Sequence, residues 1–337
     1  MKIAVTGGAG FLGGNLVRAL LARGDSVRVL VRQDRAGIEG LDVEEVLGDV
    51  RQLDDLQSCF QGMDAVFHCA AVVSIQGSQG GWVEEVNIGG PKNVVQACLD
   101  QGVKKLVHFS SVHALDPRPQ NEPIDEERAL CSPDDLHHPA YARSKAAGER
   151  AILAGVERGL NASILNPSGM IGPFDFKPSP LGEALLQMQK RSLPGLVNGG
   201  YNWVDVRDVV ESAIAALERG RAGERYLVTG QSTSVRELAD AAFAVTGAKP
   251  PLFTSPLWLA KMSAPLLEGW AKLRKSPPLY TRESVQVLGD NDDFVNQKAV
   301  TELGHSPRAL EESLRATYAW FDGVRLPESQ NSLSALL

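Results

Sequence analysis

Basic charge is in short supply in this chain. Its 34 Lys and Arg residues stand against 41 Asp and Glu, for a formal net charge of −7. A nucleic-acid binder would carry a basic stripe, so that class is set aside. An anionic cofactor is not excluded, because a phosphate site needs only local amides and a few basic groups. Cysteine is scarce too. Cys59, Cys69, Cys98 and Cys131 show no C-x-x-C or zinc-like spacing. That argues for reduced thiols in a cytoplasmic setting, with no metal site. No run is apolar for long enough to span a bilayer. Repeats and low-complexity tracts are absent. Met1-Lys2 leads straight into Ile3-Ala4-Val5, so a secretory leader is not expected. What is present is an ordinary globular composition, 43% hydrophobic and 22% charged over 337 residues. That suffices for one large domain or two modest ones.

The first half alternates short apolar runs with amphipathic ones. Ile3-Ala4-Val5 reads as a buried strand. Leu12, Leu16 and Leu20, with Val17 and Leu21, then recur at helical spacing between Phe11 and Arg23. Further strands are predicted at 27–31, 43–47, 65–68, 106–109 and 162–165. Helices are predicted at 54–60, at 86–99, and from Pro139, a residue suited to a first helical turn, to 158. Strands and helices in alternation predict an α/β fold: a doubly wound parallel (Rossmann) sheet covered on both faces. It is assigned to residues 1–167. Beyond Pro167 the pattern is broken by Pro173, Pro178, Pro180 and Pro194. Helices are expected at 204–217 and 235–245 and a strand at 226–228. Residues 168–326 are read as a smaller, lid-like substrate-binding domain that returns elements to the sheet. A loose tail, 327–337, follows.

The first strand runs into Thr6-Gly7-Gly8-Ala9-Gly10-Phe11-Leu12-Gly13. Gly7, Gly10 and Gly13 fit G-x-x-G-x-x-G, with Phe11 and Leu12 inside the turn. Glycine lets the backbone approach a pyrophosphate, and the following helix offers unpaired amides and a positive dipole end. A strand before the motif and an amphipathic helix after it are the context such a dinucleotide site requires. The second strand ends in Leu30-Val31-Arg32-Gln33-Asp34-Arg35. Val31 stands where an acid would bind the ribose of NAD. Arg32 and Arg35 suit a 2′-phosphate, so NADP(H) is favoured and NAD(H) remains open through Asp34. Asp49, with the Val50 backbone beside it, could accept a bond from the adenine amine. It could equally cap a turn. Ala70 and Ala71 leave room for the middle of the cofactor.

Tyr141 and Lys145 lie four residues apart, on one face of the predicted helix. An ammonium beside a phenol lowers its pKa from about 10, and a fall to about 7 corresponds to ~4 kcal/mol. Such a pair could pass a proton to or from a substrate oxygen.

Taken with Gly48-Asp49-Val50, His68-Cys69-Ala70-Ala71, Asn87-Ile88-Gly89-Gly90, Phe109-Ser110-Ser111, Asn166-Pro167-Ser168 and Val204-Asp205-Val206-Arg207-Asp208, these motifs resemble the extended short-chain dehydrogenase/reductase family. The match covers nearly the whole chain. The segment from Asn166 to Pro173 is similar to dihydroflavonol reductase-like and 3β-hydroxysteroid dehydrogenase-like members. The resemblance implies a nicotinamide-dependent enzyme with a Ser-Tyr-Lys site. Ser111 falls at the catalytic serine position, with Ser110 the lesser candidate. Lys145 would also bond the nicotinamide ribose. Asn87, Asn166, Pro167 and Ser168 would border the cofactor, though Asn87 could simply cap a helix.

The reaction expected is reduction of a carbonyl, or oxidation of a secondary alcohol, on a small and fairly apolar substrate. The alternatives are a nucleotide-sugar epimerase or dehydratase with retained NAD, and a non-catalytic protein that senses the NADP redox state. A homodimer is possible. Trp258, Leu259, Met262, Leu266, Leu267, Trp270 and Leu273 form a bulky stretch. It could wall a pocket, touch lipid peripherally or pack as a lid. His113, His137 and His138 are read as polar loop residues.

Overall fold

The computed structural model describes residues 1–193, 195–274 and 280–323. The tail from Pro327 lies outside them. Seven parallel strands form the main sheet: β1 Lys2–Thr6, β2 Ser26–Val31, β3 Glu44–Leu47, β4 Ala65–His68, β5 Lys105–Phe109, β6 Ala162–Pro167 and, from late in the chain, β10 Arg225–Val228. Their order is β10-β6-β5-β4-β1-β2-β3. The direction of winding reverses between β1 and β4. That reversal opens a crevice at the C-terminal strand ends, where such sheets bind ligands.

The strands are apolar on both faces because both faces are covered. Ile3 and Val5 face a core built with Leu12, Leu16 and Leu20 of α1 (Phe11–Ala22) and Val206, Val209 and Val210 of α7 (Val206–Arg219). Ala4, Val66 and Leu106 face the opposite core. It holds Leu56 and Phe60 of α2 (Leu53–Phe60), Val94 and Val95 of α4 (Gly90–Asp100) and Ile152 of α5 (Ala140–Glu157).

The helix expected at 86–99 is interrupted. A short turn, α3 (Trp82–Glu84), runs into a π-helical turn at Glu85–Gly89 before α4 begins.

Past β6 the chain builds a second layer. β7 (Gly169–Ile171), β9 (Gly200–Asp205) and β11 (Gln231–Ser234) make a three-stranded sheet. The helix expected at 204–217 starts at Val206 instead, because residues 200–205 pair as β9. Asp205 then caps α7, its carboxylate accepting from the Arg207 N–H. α6 (Pro180–Gln189), α8 (Val235–Thr246) and α11 (Leu310–Phe321) pack a third core around Leu185, Leu238, Leu314 and Tyr318. β8 (Leu196–Val197) pairs with β12 (Thr254–Ser255), which leads into α9 (Leu257–Arg274) and α10 (Arg282–Val287). Among the described residues no helix is long and apolar enough to cross a membrane.

Candidate active site

Two structures meet at the crevice. One is the turn between β1 and α1. Gly7 adopts φ +71°, and a Cβ there would stand 2.6 Å from the Ala70 amide nitrogen. A Cβ on Gly13 would collide with the Gly7 carbonyl oxygen. The turn is thus pressed against the end of β4, with Ala70 and Ala71 beside it. No side chain caps α1 at Gly10, so the first amides of the helix stay open to an anion. A backbone cradle that side chains would fill, at a helix N-terminus, fits a dinucleotide pyrophosphate. Phe11 and Leu12 begin the helix, Leu12 buried in the core.

The other structure lies at the ends of β5 and β6 and the start of α5. Ser111 follows β5, and its hydroxyl accepts from the His113 amide at 3.2 Å. Tyr141 is half-buried on the first turn of α5, within hydrogen-bonding reach of Ser111. Lys145 is buried one turn further on, and its ammonium donates to the Phe109 carbonyl at 2.7 Å. Ser110, also buried, is not the serine beside Tyr141. The pKa order differs from the expectation of a lowered phenol. Burial pushes Tyr141 up to about 12, and the Ser111 hydroxyl offsets only part of that. Burial pushes Lys145 down to about 8, against the pull of Glu149.

Supporting polar groups hold this arrangement. Asn166, at the end of β6, donates to the Ser111 carbonyl and to Glu149 Oε2, both at 3.0 Å. Glu149 in turn pairs with Arg225 of β10 at 2.5 Å. Pro167 and Ser168 follow Asn166 and are buried. The Asn87 amide is no helix cap. It accepts from the Val72 amide at 2.8 Å, donates to the Val72 carbonyl at 2.9 Å, and donates to Ser144 Oγ at 3.0 Å. It therefore ties the loop after β4 to α5.

Residues 3–229 match the model of the NAD dependent epimerase/dehydratase family. The chain belongs to this family. It is an NAD(P)-dependent oxidoreductase of the extended short-chain dehydrogenase/reductase type. It is 33% identical to the sterol demethylase protein B of Methylococcus capsulatus, over 95% of this chain and 98% of that protein. It is also 33% identical to a putative dihydroflavonol 4-reductase of Synechocystis, over 94% and 93%. The dTDP-glucose 4,6-dehydratase of Streptomyces venezuelae, whose structure has NAD bound, superposes with a TM-score of 0.75. That pair is 25% identical over 96% of this chain and 97% of that one.

At the far end of this family member's cofactor crevice, charges are partly committed. Arg32 is exposed, with its guanidinium 5.0 Å from the Trp82 ring. Arg51 lies over the same ring at 4.4 Å. Asp49 is clasped by Arg51, Nη2 to Oδ2 at 3.0 Å. Burial raises its pKa, but the bonds from Arg51 and the charges of Arg51 and Arg32 outweigh burial and hold it low. Arg35 pairs with Glu45 at 2.5 Å. Asp34 pairs with Lys177 at 2.6 Å. Val50 is buried, and its carbonyl accepts from Asn93 at 3.2 Å.

One residue was misread from the sequence as a polar loop residue, and one, Tyr201, went unseen. His113 is not a loop bystander. Its ring lies edge-on to Tyr141, 6.3 Å between centroids, and stacks on Tyr201 at 5.6 Å. His113 Nε2 and the Tyr201 hydroxyl are hydrogen-bonded. Burial pushes His113 down to about 4, so the ring is neutral at physiological pH. Trp203 backs Tyr201 at 5.1 Å. A histidine two residues after Ser111 is the one local signal, and nothing local points to Tyr201.

Proposed function

We propose that this protein moves a hydride reversibly between NADP(H) and a carbonyl or secondary alcohol of a small, largely apolar substrate. Ser111, Tyr141 and Lys145 are the working group. The observation that carries the reading is the enclosed Tyr141 phenol beside Ser111, on a helix whose Lys145 is buried one turn away. Bound nicotinamide supplies the hydride chemistry. With a pKa pushed up to about 12, Tyr141 keeps its proton through neutrality and can donate it to the substrate oxygen. Ser111 orients that oxygen by a second hydrogen bond. Lys145 sets positive charge where negative charge develops.

Arg32 supports NADP(H), being exposed and without a salt bridge among the described residues. Asp34 is turned to Lys177 instead of the ribose. Relatives named for sterol and dihydroflavonol chemistry support a ring-containing, mostly apolar substrate. The aromatic side chain of Tyr201, which with His113 lies beside Tyr141, suits one.

The test is titration of purified protein with NADPH and NADH, followed by a panel of carbonyl substrates read at the nicotinamide absorbance. NADPH is expected to bind more tightly. Tyr141→Phe is expected to keep its NADPH affinity while turnover falls by about 10²–10⁴-fold. Undiminished turnover in that variant, or NAD that stays bound through purification with no carbonyl reduced, overturns the reading.

A further inference from the structure

An indole stands at the adenosine end of the cofactor crevice. Trp82 opens α3, and its side chain is partly buried against the core that holds Leu56 and Val94. The turn before it is braced by Ser78, whose hydroxyl accepts from the Gly81 amide at 3.0 Å and donates to Glu84 at 2.6 Å. The π-helical turn after it is tied to the Val72 backbone by Asn87. Packing and backbone on both sides therefore fix where the ring sits.

Two guanidiniums lie over this ring, Arg51 at 4.4 Å and Arg32 at 5.0 Å. They follow β3 and β2, at the strand ends beside the glycine turn. Their charges are in different states. Arg51 is held by Asp49 and by Glu85, each at 3.0 Å. Arg32 is exposed and has no salt bridge among the described residues. The backbone beneath it is anchored: the Val31 carbonyl accepts from the Gly48 amide at 2.9 Å, and the Gly37 carbonyl accepts from Arg18 Nη1 at 2.6 Å. An exposed arginine loses rotamer freedom when it takes a ligand. A ring that already holds the guanidinium reduces that loss.

We propose that Trp82 is a positioning residue for cofactor selectivity. Its ring holds the Arg32 guanidinium ready for a phosphate on the adenosine ribose, and Arg51, committed to Asp49 and Glu85, packs the same ring. The inference rests on the NADP(H) reading above and names a residue that makes the site selective.

The test is equilibrium titration of the full chain with NADPH and with NADH, which differ only in the 2′-phosphate. Wild type is expected to prefer NADPH. Trp82→Leu should cut that preference about fivefold while NADH affinity, which also reports a folded crevice, stays near wild type. Trp82→Phe keeps a ring and should restore most of the preference. Arg32→Ala should cut it about tenfold or more, and adding Trp82→Leu to that variant should cut it no further. A Trp82→Leu variant that weakens both nucleotides alike, or keeps the wild-type preference, overturns the inference and leaves the NADP(H) reading standing. So does a further loss of preference on top of Arg32→Ala. Wild type that binds the two nucleotides equally overturns the NADP(H) reading itself, and the role of Trp82 with it.

Discussion

At the scale of single residues, burial acts on Tyr141 and Lys145 in opposite directions. A buried phenol resists ionising, so Tyr141 rises to about 12; a buried ammonium resists charging, so Lys145 falls to about 8. The free enzyme's kcat/KM for carbonyl reduction is therefore expected to be level through neutrality and to decline above about pH 8. The sign follows from Lys145, whose charge is present below that value and lost above it. A pH–rate profile level to pH ~10, the ordinary lysine range, would contradict the role given to Lys145. The same depressed value affects stability. Between about 8 and 10.5 the unfolded chain binds the extra proton, so this group's contribution to stability improves as pH rises. Tyr201 offers a second check. Tyr201→Phe removes the partner of His113 Nε2, a loss of about 1–3 kcal/mol for a buried polar group. If Tyr201 also lines the substrate site, KM should rise several-fold while kcat changes little. A lower melting temperature with KM unchanged would reduce it to packing.

The π-helical turn at Glu85–Gly89 shows what an element can owe to distant contacts. Its apolar periodicity reads as plain α-helix from Val86 onward. The turn sits where Asn87 must reach the Val72 backbone and Ser144 together. Gly148 of α5 approaches so closely that a Cβ there would strike the Asn87 carbonyl. Asn87→Ala should therefore free α5 to shift under Tyr141. A displacement of about 1 Å is enough for a loss near 10²-fold in kcat, with NADPH affinity changing less. Single-turnover kinetics would check this, and unaltered turnover would show that Asn87 does not position α5. The elements of the main sheet, by contrast, were legible. Their buried runs and amphipathic helices are local patterns, and most observed boundaries lie within one or two residues of those predicted. β9 was not legible, because its pairing with β7 and β11 is set by residues from three separate stretches.

On the scale of the whole molecule, Arg308 links the layers. It precedes α11 and pairs with Asp208 of α7, whose side chain is 1% exposed, and with Glu211 at 2.8 Å. Removing it leaves a carboxylate buried beneath the main sheet's helical cover. Arg308→Ala is expected to cost about 3–5 kcal/mol, seen as a fall of about 4–7 °C in melting temperature by calorimetry. A fall of a degree or less would mean that water replaces the guanidinium. The sequence by itself determined the doubly wound sheet, the glycine turn and the spacing of Tyr141 and Lys145. All three are written in short-range patterns: period, turn chemistry and one helical turn. Only the tertiary structure decided that His113 meets Tyr201, 88 positions away, and that Asn87 holds α5. It alone decided that burial raises Tyr141 and that Trp258 faces outward. Enclosure and long-range contact are properties of the packed chain, and no local pattern encodes them.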